Sequence, residues 1–277
     1  MRVGIIGGGV VGQATARAFL EHVEEVRVYD KDPTRRTDSG DGTLDCDVIF
    51  ICLPTPAKED GSCDTRFVEQ QCSYLHEHRR KNFVLKSTVP IGFTKSMTKK
   101  YGLENLVHSP EFLTARCAAA DAQMPTRNVI GVPNSDLPRT QYEMMPIVKL
   151  YEKRWPHTPI LRMSSSESEA VKLAQNAFFA IKVSFWNEVR ALCKKLELDY
   201  DVVLNAILAD GRIHPSHTMV PGPDGKLGFG GACLPKDLQN LIHCFSGAGI
   251  CAYTLHAAEL TNKQVRDDPR PNSSAVG

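Results

Sequence analysis

Short apolar runs alternate with amphipathic segments along the first 163 residues. A run such as Val48 to Leu53 is apolar throughout, which suits a parallel strand buried on both faces. Such runs predict strands at residues 2–6, 25–29, 48–53, 83–89, 106–108, 128–132 and 159–163. Because most of these strands are separated by helical or irregular segments, the pattern predicts a mostly parallel, doubly wound α/β sheet.

From residue 164 the pattern changes to that of one long helix. Apolar residues recur every three or four positions from Ala170 to Leu196, and no proline occurs from Ile160 through His214. The start carries two overlapping capping-box spacings, Ser164 to Glu167 and Ser166 to Glu169. We therefore place a domain boundary here. A helix of this length often forms both the spine of a domain and a dimer contact.

Further helices follow after the long one. The spacing predicts them at 199–209, from Pro235 through Phe245, and at 253–260. Residues 212–231 are irregular and rich in glycine and proline, which is typical of a functional loop. The predicted organisation is a sheet domain over 1–163, an all-α domain over 164–262 and a disordered tail over 263–277.

Composition narrows the class of protein. The chain has 277 residues and a formal net charge of +1, which gives no reason to expect nucleic acid or a membrane as partner. Its 9 cysteines lack CxxC pairs or metal-like spacing, so we expect reduced thiols and neither a disulfide frame nor a zinc site. No signal peptide or membrane-spanning run is recognisable, and a cytoplasmic protein is expected.

A glycine motif, Gly7, Gly9 and Gly12 in GxGxxG spacing, joins the first strand to a helix. This context predicts a Rossmann-type domain in which a dinucleotide pyrophosphate rests on the helix N-terminus. Asp30 ends the second strand and can bind a ribose hydroxyl, which favours NAD. Arg35 and Arg36 lie nearby, and binding of a 2′-phosphate by these arginines, as in NADP, stays an alternative. The other alternative is a glycine turn with a purely structural role.

A second motif, GFGGACLPKD over residues 228–237, places Cys233 just before a predicted helix. A thiol at the positive end of a helix has a lowered pKa and is available as a nucleophile. Asp237 would lie in the first turn of that helix, as a base or as an ordinary first-turn acid. The alternative for Cys233 is a buried structural cysteine.

Lys172 and Asn176 are four residues apart on the long helix and can hold an oxygen atom that develops negative charge. The alternative is a solvated lysine. Glu111 follows Pro110 at a strand end and can act as a general base or cap a helix. Thr88 offers a hydroxyl at another strand end, whereas His217 is a weak candidate in the loop.

These residues resemble the UDP-glucose/GDP-mannose dehydrogenase family over most of residues 1–262. The family's motifs match the following stretches: the three glycines, Asp30, Thr55-Pro56, Ser87 to Pro90, Pro110 to Leu113, Lys172 with Asn176, Asp210 to Ile213, and 228–237. GFGGACLPKD is the most specific of them.

The resemblance implies an NAD-dependent nucleotide-sugar 6-dehydrogenase, with UDP-glucose the leading substrate. Oxidation at the sugar C6 gives an aldehyde, which Cys233 attacks; Lys172 and Asn176 hold the thiohemiacetal oxyanion. A second oxidation gives a thioester that water hydrolyses, with Asp237, Glu111 and Thr88 handling protons. Relatives form homodimers, here expected through the central helix, in which the residue matching Arg212 reaches the neighbouring subunit's substrate.

The resemblance also implies two sets of binding residues. The cofactor set is Gly7, Gly9, Val10, Val11, Gly12, Asp30, Thr55, Pro56, Thr88 and Lys236. The substrate set is Glu111, Phe112, Leu113, Lys172, Asn176, Arg212, His217, Phe229 and Gly230.

The chain departs from the family pattern in three places. Ala115 stands where relatives carry a second glutamate, and the segment between Asp30 and the Val48 strand is short. The family's third domain, which helps enclose the nucleotide, is expected to be absent. Two alternatives therefore stay open: a β-hydroxyacid or 6-phosphogluconate-type dehydrogenase that needs no cysteine, and a catalytically impaired NAD-binding module.

Overall fold

The computed structural model describes residues 1–133, 141–142 and 145–266. Its contacts divide into two compact units. Of the described residues, those within 1–55 and 64–172 form the first unit, and those within 56–63 and 173–266 form the second. The predicted boundary at residue 164 marks the start of the long helix, whereas the contact boundary falls at residue 172 within that helix.

The first unit contains a seven-stranded sheet. Its strands are β1 Arg2–Ile6, β2 Glu25–Tyr29, β3 Val48–Ile51, β4 Asn82–Leu85, β5 Leu106–His108, β6 Asn128–Val132 and β7 Ile160–Ser164. They lie in the order β2-β1-β3-β4-β5-β6-β7. Neighbours pair in parallel except β5 and β6, which are antiparallel with His108 opposite Gly131. The predicted mostly parallel sheet is confirmed.

Helices of the first unit connect the strands. They are α1 Val10–Phe19, α2 Gly40–Leu44, α3 Arg66–Leu75, α4 Phe93–Tyr101, α5 Ala118–Gln123 and α6 Pro146–Arg154, with 3₁₀ turns at His76–His78 and Ala115–Cys117. The short segment after β2 contains only α2. Since the chain then returns to β3 beside β1, β2 is left at the edge of the sheet.

Side chains of β3 alternate between two buried layers. Phe50 points to one face, where its ring lies 5.5 Å from that of Phe19 and 6.4 Å from that of Tyr151. Ile49 and Ile51 point to the other face and pack in a separate apolar cluster. All of these side chains are buried, which confirms the prediction of a strand covered on both faces.

Four helices account for most of the remaining described chain. They are α7 Ser165–Lys195, which begins in the first unit, and α8 Tyr200–Leu208, α9 Leu234–Gly247 and α10 Tyr253–Val265. Helix α9 begins one residue before the predicted first position, Pro235. Helix α10 runs to Val265, so residues 263–265 of the predicted tail are helical, and residues 267–277 lie outside the described part of the chain.

The start of α7 contains one of the two predicted capping boxes. The backbone N–H of Ser164 donates to the Glu167 carboxylate at 2.7 Å, and the N–H of Glu167 donates to the Ser164 hydroxyl at 3.2 Å. The second prediction, Ser166 with Glu169, is wrong. The carboxylate of Glu169 instead accepts the N–H groups of Gly92 and Thr94 at the start of α4.

The apolar residues of α7 do not form a single buried face. Ala177 and Ala180 are buried in the second unit, but Phe178, Phe185 and Leu192 are exposed although the periodicity grouped them with Ala177. These three residues, seven apart, are called here the exposed face of α7. No helix within the described residues has the length and apolar character needed to cross a lipid bilayer.

Candidate active site

The three motif glycines of the first unit differ in the space around them. Gly7 has φ +100°, and a Cβ there would lie 2.4 Å from the carbonyl oxygen of Cys52. A Cβ on Gly12 would lie 1.8 Å from the carbonyl oxygen of Gly7. Gly9, at the N-cap of α1, has nothing within 4 Å of that position. Protein atoms therefore occupy the space beside Gly7 and Gly12. The space beside Gly9, at the start of the helix where Val10 and Val11 follow, is open.

Asp30 lies beside this turn. Its carboxylate accepts the N–H of Gly8 at 2.6 Å and that of Asp32 at 2.9 Å. A carboxylate has about four lone-pair positions, so capacity remains for ribose hydroxyls. Arg35, a candidate for a 2′-phosphate, pairs with Asp32 at 3.3 Å. The residues at this edge therefore fit NAD.

The carboxyl ends of β3 and β4 are joined by threonine and serine. The Thr55 hydroxyl donates to the carbonyl of Thr88 at 2.7 Å, and the Ser87 hydroxyl donates to the carbonyl of Leu53 at 2.7 Å. These bonds fix the strand ends where the crevice of an open α/β sheet is expected. Pro56, by contrast, belongs to the second unit.

Glu111 and Lys172 form a buried ion pair within the first unit. The two groups are 2.8 Å apart, and their side chains are 11% and 4% exposed. The other carboxylate oxygen of Glu111 accepts the N–H of Leu113 at 2.6 Å. The Phe112 ring lies 5.7 Å from the Lys172 ammonium and 4.2 Å from the Arg127 guanidinium. A cavity of about 230 Å³, lined by Glu111, Phe112 and Leu113 among others, adjoins this pair.

Asn176, Lys236 and Asp237 form a cluster in the second unit. The amide of Asn176 donates to Asp237 at 2.6 Å, and the ammonium of Lys236 pairs with the same carboxylate. Asp237 is 1% exposed. Burial acts to lower the pKa of Lys236, but the Asp237 carboxylate and the thiols of Cys63 and Cys233 outweigh it and raise that pKa. The cluster thus keeps a buried cation next to sulfur.

Cys233 is the N-cap residue of α9 and is exposed. The alternative of a buried structural cysteine is therefore wrong for this position. Cys52 and Cys72 show the contrast, since burial raises the pKa of each thiol to about 12. Only a thiol open to solvent can reach a substrate, and Cys233 meets that requirement.

The remaining candidates lie outside the Asn176, Lys236 and Asp237 cluster. Arg212 is exposed and pairs with Asp210. His217 stacks on the ring of Phe179 at a centroid distance of 4.0 Å. Phe229 is buried in the apolar core of the second unit, so the structure gives its side chain a packing role. Contacts of these residues and of Gly230 with substrate stay predictions.

Three residues that the sequence did not single out hold the glycine-rich motif. Asn187, Asn262 and Arg266 all bond to its backbone or to the residue before it. Asparagine within a predicted helix is the signal that could have identified Asn187, because its amide is unfavourable there unless it has a partner. Asn262 lies two residues beyond the predicted helix at 253–260 and carried no such signal.

Comparison with known proteins gives family matches over most of the chain. Residues 34–153 match the model of the UDP-glucose/GDP-mannose dehydrogenase family, NAD binding domain, and residues 166–264 match that of the central domain. A UDP-glucose 6-dehydrogenase from Pseudomonas aeruginosa is 29% identical over 311 residues, covering 96% of this chain and 66% of that protein. A UDP-glucose 6-dehydrogenase from Campylobacter jejuni is 35% identical over 204 residues, covering 73% of this chain and 49% of that protein.

A solved structure gives the same indication. The UDP-glucose dehydrogenase of the hyperthermophilic archaeon Pyrobaculum islandicum aligns with a TM-score of 0.80 at 28% identity, covering 95% of this chain and 68% of that chain. The chain spans about half to two thirds of the length of the two curated relatives, 49% and 66%.

Proposed function

Because this chain belongs to the UDP-glucose/GDP-mannose dehydrogenase family, we propose that it is an NAD-dependent nucleotide-sugar 6-dehydrogenase with UDP-glucose as its leading substrate. The observation that carries the proposal is an exposed cysteine at the start of α9, close in sequence to a mostly enclosed lysine and a buried aspartate of the first turn. Family membership favours this reaction over that of a β-hydroxyacid dehydrogenase, for which no catalytic cysteine is required.

The cofactor is NAD, which when bound accepts the electrons of each oxidation. The open position at Gly9 and the start of α1 would hold its pyrophosphate. Asp30 would accept hydrogen bonds from its ribose through the lone pairs that Gly8 and Asp32 leave free.

Cys233 would act as the nucleophile toward the aldehyde. A thiolate there is attracted by the Lys236 ammonium and lies at the positive end of α9. Attack on the aldehyde carbon forms a thiohemiacetal with an oxyanion, which Lys172 and Asn176 would stabilise. The second oxidation then gives a thioester instead of releasing an aldehyde.

Glu111 and Asp237 would manage the protons and the water that hydrolyses the thioester. Each is held by a basic or amide partner: Glu111 by Lys172, and Asp237 by Asn176 and Lys236. These partners fix the orientation of both carboxylates before substrate arrives, which is what general base catalysis needs.

The exposed face of α7 supports a homodimer. Phe178, Phe185 and Leu192 leave about half or more of each side chain open to solvent. Large apolar side chains in a row mark a protein contact, and a second copy of the same helix offers a matching row.

The test counts NADH released per UDP-glucose. We expect about two NADH per sugar, because the thioester route carries the substrate past the aldehyde. Cys233→Ser should lower the steady-state rate more than about 10³-fold. Cys251→Ser is the matched control, since Cys251 is also exposed in the second unit. One NADH per sugar, or an unchanged rate in Cys233→Ser, would contradict the proposal.

A further inference from the structure

The backbone that leads to Cys233 is held by three buried side chains. Asn187 lies on α7, Asn262 lies on α10, and Arg266 directly follows α10. They are named here the loop clamp. All three bond to the segment from Asp224 to Phe229, and no more than three residues separate that segment from Cys233.

Asn262 makes the most specific contacts of the loop clamp. Its side-chain oxygen accepts the N–H of Phe229 at 2.7 Å, and its amide nitrogen donates to the carbonyl of the same residue at 3.0 Å. Asn262 is 3% exposed. Because one amide satisfies both backbone groups of one buried residue, it fixes the position and the orientation of that residue.

The other two members hold the preceding residues. Asn187 accepts the N–H of Gly228 at 3.0 Å, while its own amide donates to the carbonyl of Val183 at 2.8 Å and so keeps its orientation. The guanidinium of Arg266 donates to the carbonyl of Leu227 at 3.1 Å and pairs with Asp224 at 2.6 Å.

The loop clamp also explains two glycines of the motif. A Cβ on Gly228 would lie 2.3 Å from the side-chain oxygen of Asn262, and one on Gly230 would lie 2.1 Å from the Arg266 guanidinium. Clamp side chains occupy the space that other residues would need. The glycines thus serve this packing as well as any approach of substrate.

We propose that Asn262 is a positioning residue for the nucleophile. By fixing Phe229 it sets the path of Gly230 to Ala232 and hence the place of the Cys233 sulfur relative to Lys236. The effect on catalysis rests on the proposed function, whereas the effect on the thiol does not.

The test compares Asn262→Leu with Gln264→Leu. Both remove an amide from α10, but Gln264 is exposed and serves as the matched control. In Asn262→Leu we expect alkylation of Cys233 by iodoacetamide at pH 7 to slow by about three- to tenfold, with its pH midpoint moved upward. Alkylation of Cys251, followed by peptide mass spectrometry, should stay unchanged.

Turnover supplies the second readout. A nucleophile displaced by about 1 Å lowers kcat by about 10²-fold, while NAD affinity, set mainly by the glycine turn and Asp30 of the first unit, stays unchanged. Asn262→Asp keeps the acceptor for the Phe229 N–H and replaces the donor with an oxygen that repels the Phe229 carbonyl, so it should also slow alkylation and turnover. If Asn262→Leu fails to fold, this variant decides the test.

The proposal is overturned if Asn262→Leu folds and shows the wild-type rate of Cys233 alkylation together with the wild-type kcat. If Asn262→Leu does not fold, the same two results in Asn262→Asp overturn it. Alkylation requires no turnover. A wild-type protein without dehydrogenase activity would therefore remove the proposed function, while the alkylation rates would still decide the role of Asn262.

Discussion

At the scale of single residues, two ion pairs of the second unit differ in burial, although in each the basic and the acidic residue are close together in the sequence. Lys236 with Asp237 is almost fully enclosed, with side chains 13% and 1% exposed. Arg212 with Asp210 lies in solvent, with side chains 85% and 43% exposed. Solvent screens the second pair, whereas removing one partner of the first leaves a buried charge without compensation.

Asp237→Asn should therefore destabilise the second unit by about 3–5 kcal/mol, because Lys236 then keeps its charge without a carboxylate. Asp210→Asn should leave the free energy of unfolding almost unchanged, because solvent screens its pair with Arg212. The two tryptophans allow the measurement: Trp186 is buried in the second unit, so urea unfolding in a Trp155→Phe background reports on that unit. Equal losses in the two variants would show that the Lys236 charge is not held as described.

At the scale of elements, one helix of the first unit is capped by another. Gly92 precedes α4 and has no side chain to cap it. Glu169 of α7 supplies the missing acceptors, binding the N–H groups of Gly92 at 2.5 Å and Thr94 at 2.8 Å. Burial raises the pKa of Glu169, although these bonds act in the opposite direction. The capping contact joins elements that are 75 or more residues apart in the chain.

Glu169→Gln should cost about 1–3 kcal/mol, because an amide offers one acceptor oxygen where the carboxylate offers two. Glu167→Gln is the matched control on the same helix turn, since glutamine serves equally well in a capping box. Thermal unfolding of the two variants checks the difference. If Glu169→Gln unfolds at the same temperature as the wild type, the start of α4 does not depend on this contact.

At the scale of the whole molecule, the proposed homodimer depends on the exposed face of α7. Phe185→Glu should convert the dimer to a monomer, because a carboxylate would be buried without a partner at the centre of the contact. Light scattering after size-exclusion chromatography measures the mass. Leu20→Glu changes an equally exposed apolar residue of the first unit and should leave the dimer intact. A dimer that survives Phe185→Glu would place the contact elsewhere.

Much of the fold follows from the sequence because its signals are local. The strands β1, β2, β5 and β6 have the predicted bounds. β1, β5 and β6 are short, mainly apolar segments between breaks, and β2 alternates valine with charged residues. The capping box of Ser164 with Glu167 was predictable for the same reason: both partners lie within one turn of helix. The turn after β1 and the helix start at Cys233 were likewise predictable, because the residues that determine each of them are neighbours in the sequence.

Tertiary structure alone determined which residues are buried by distant segments and which distant residues form hydrogen bonds with one another. Periodicity grouped Phe178 with Ala177, yet only packing shows that Ala177 is covered and Phe178 is not. Glu169 had the spacing of a local cap and bonds to Gly92 instead, and Asn262 reaches Phe229 from 33 residues away. The physical reason is that a sequence pattern reports the faces an element offers, whereas burial and hydrogen-bond partners depend on which other element arrives at each face.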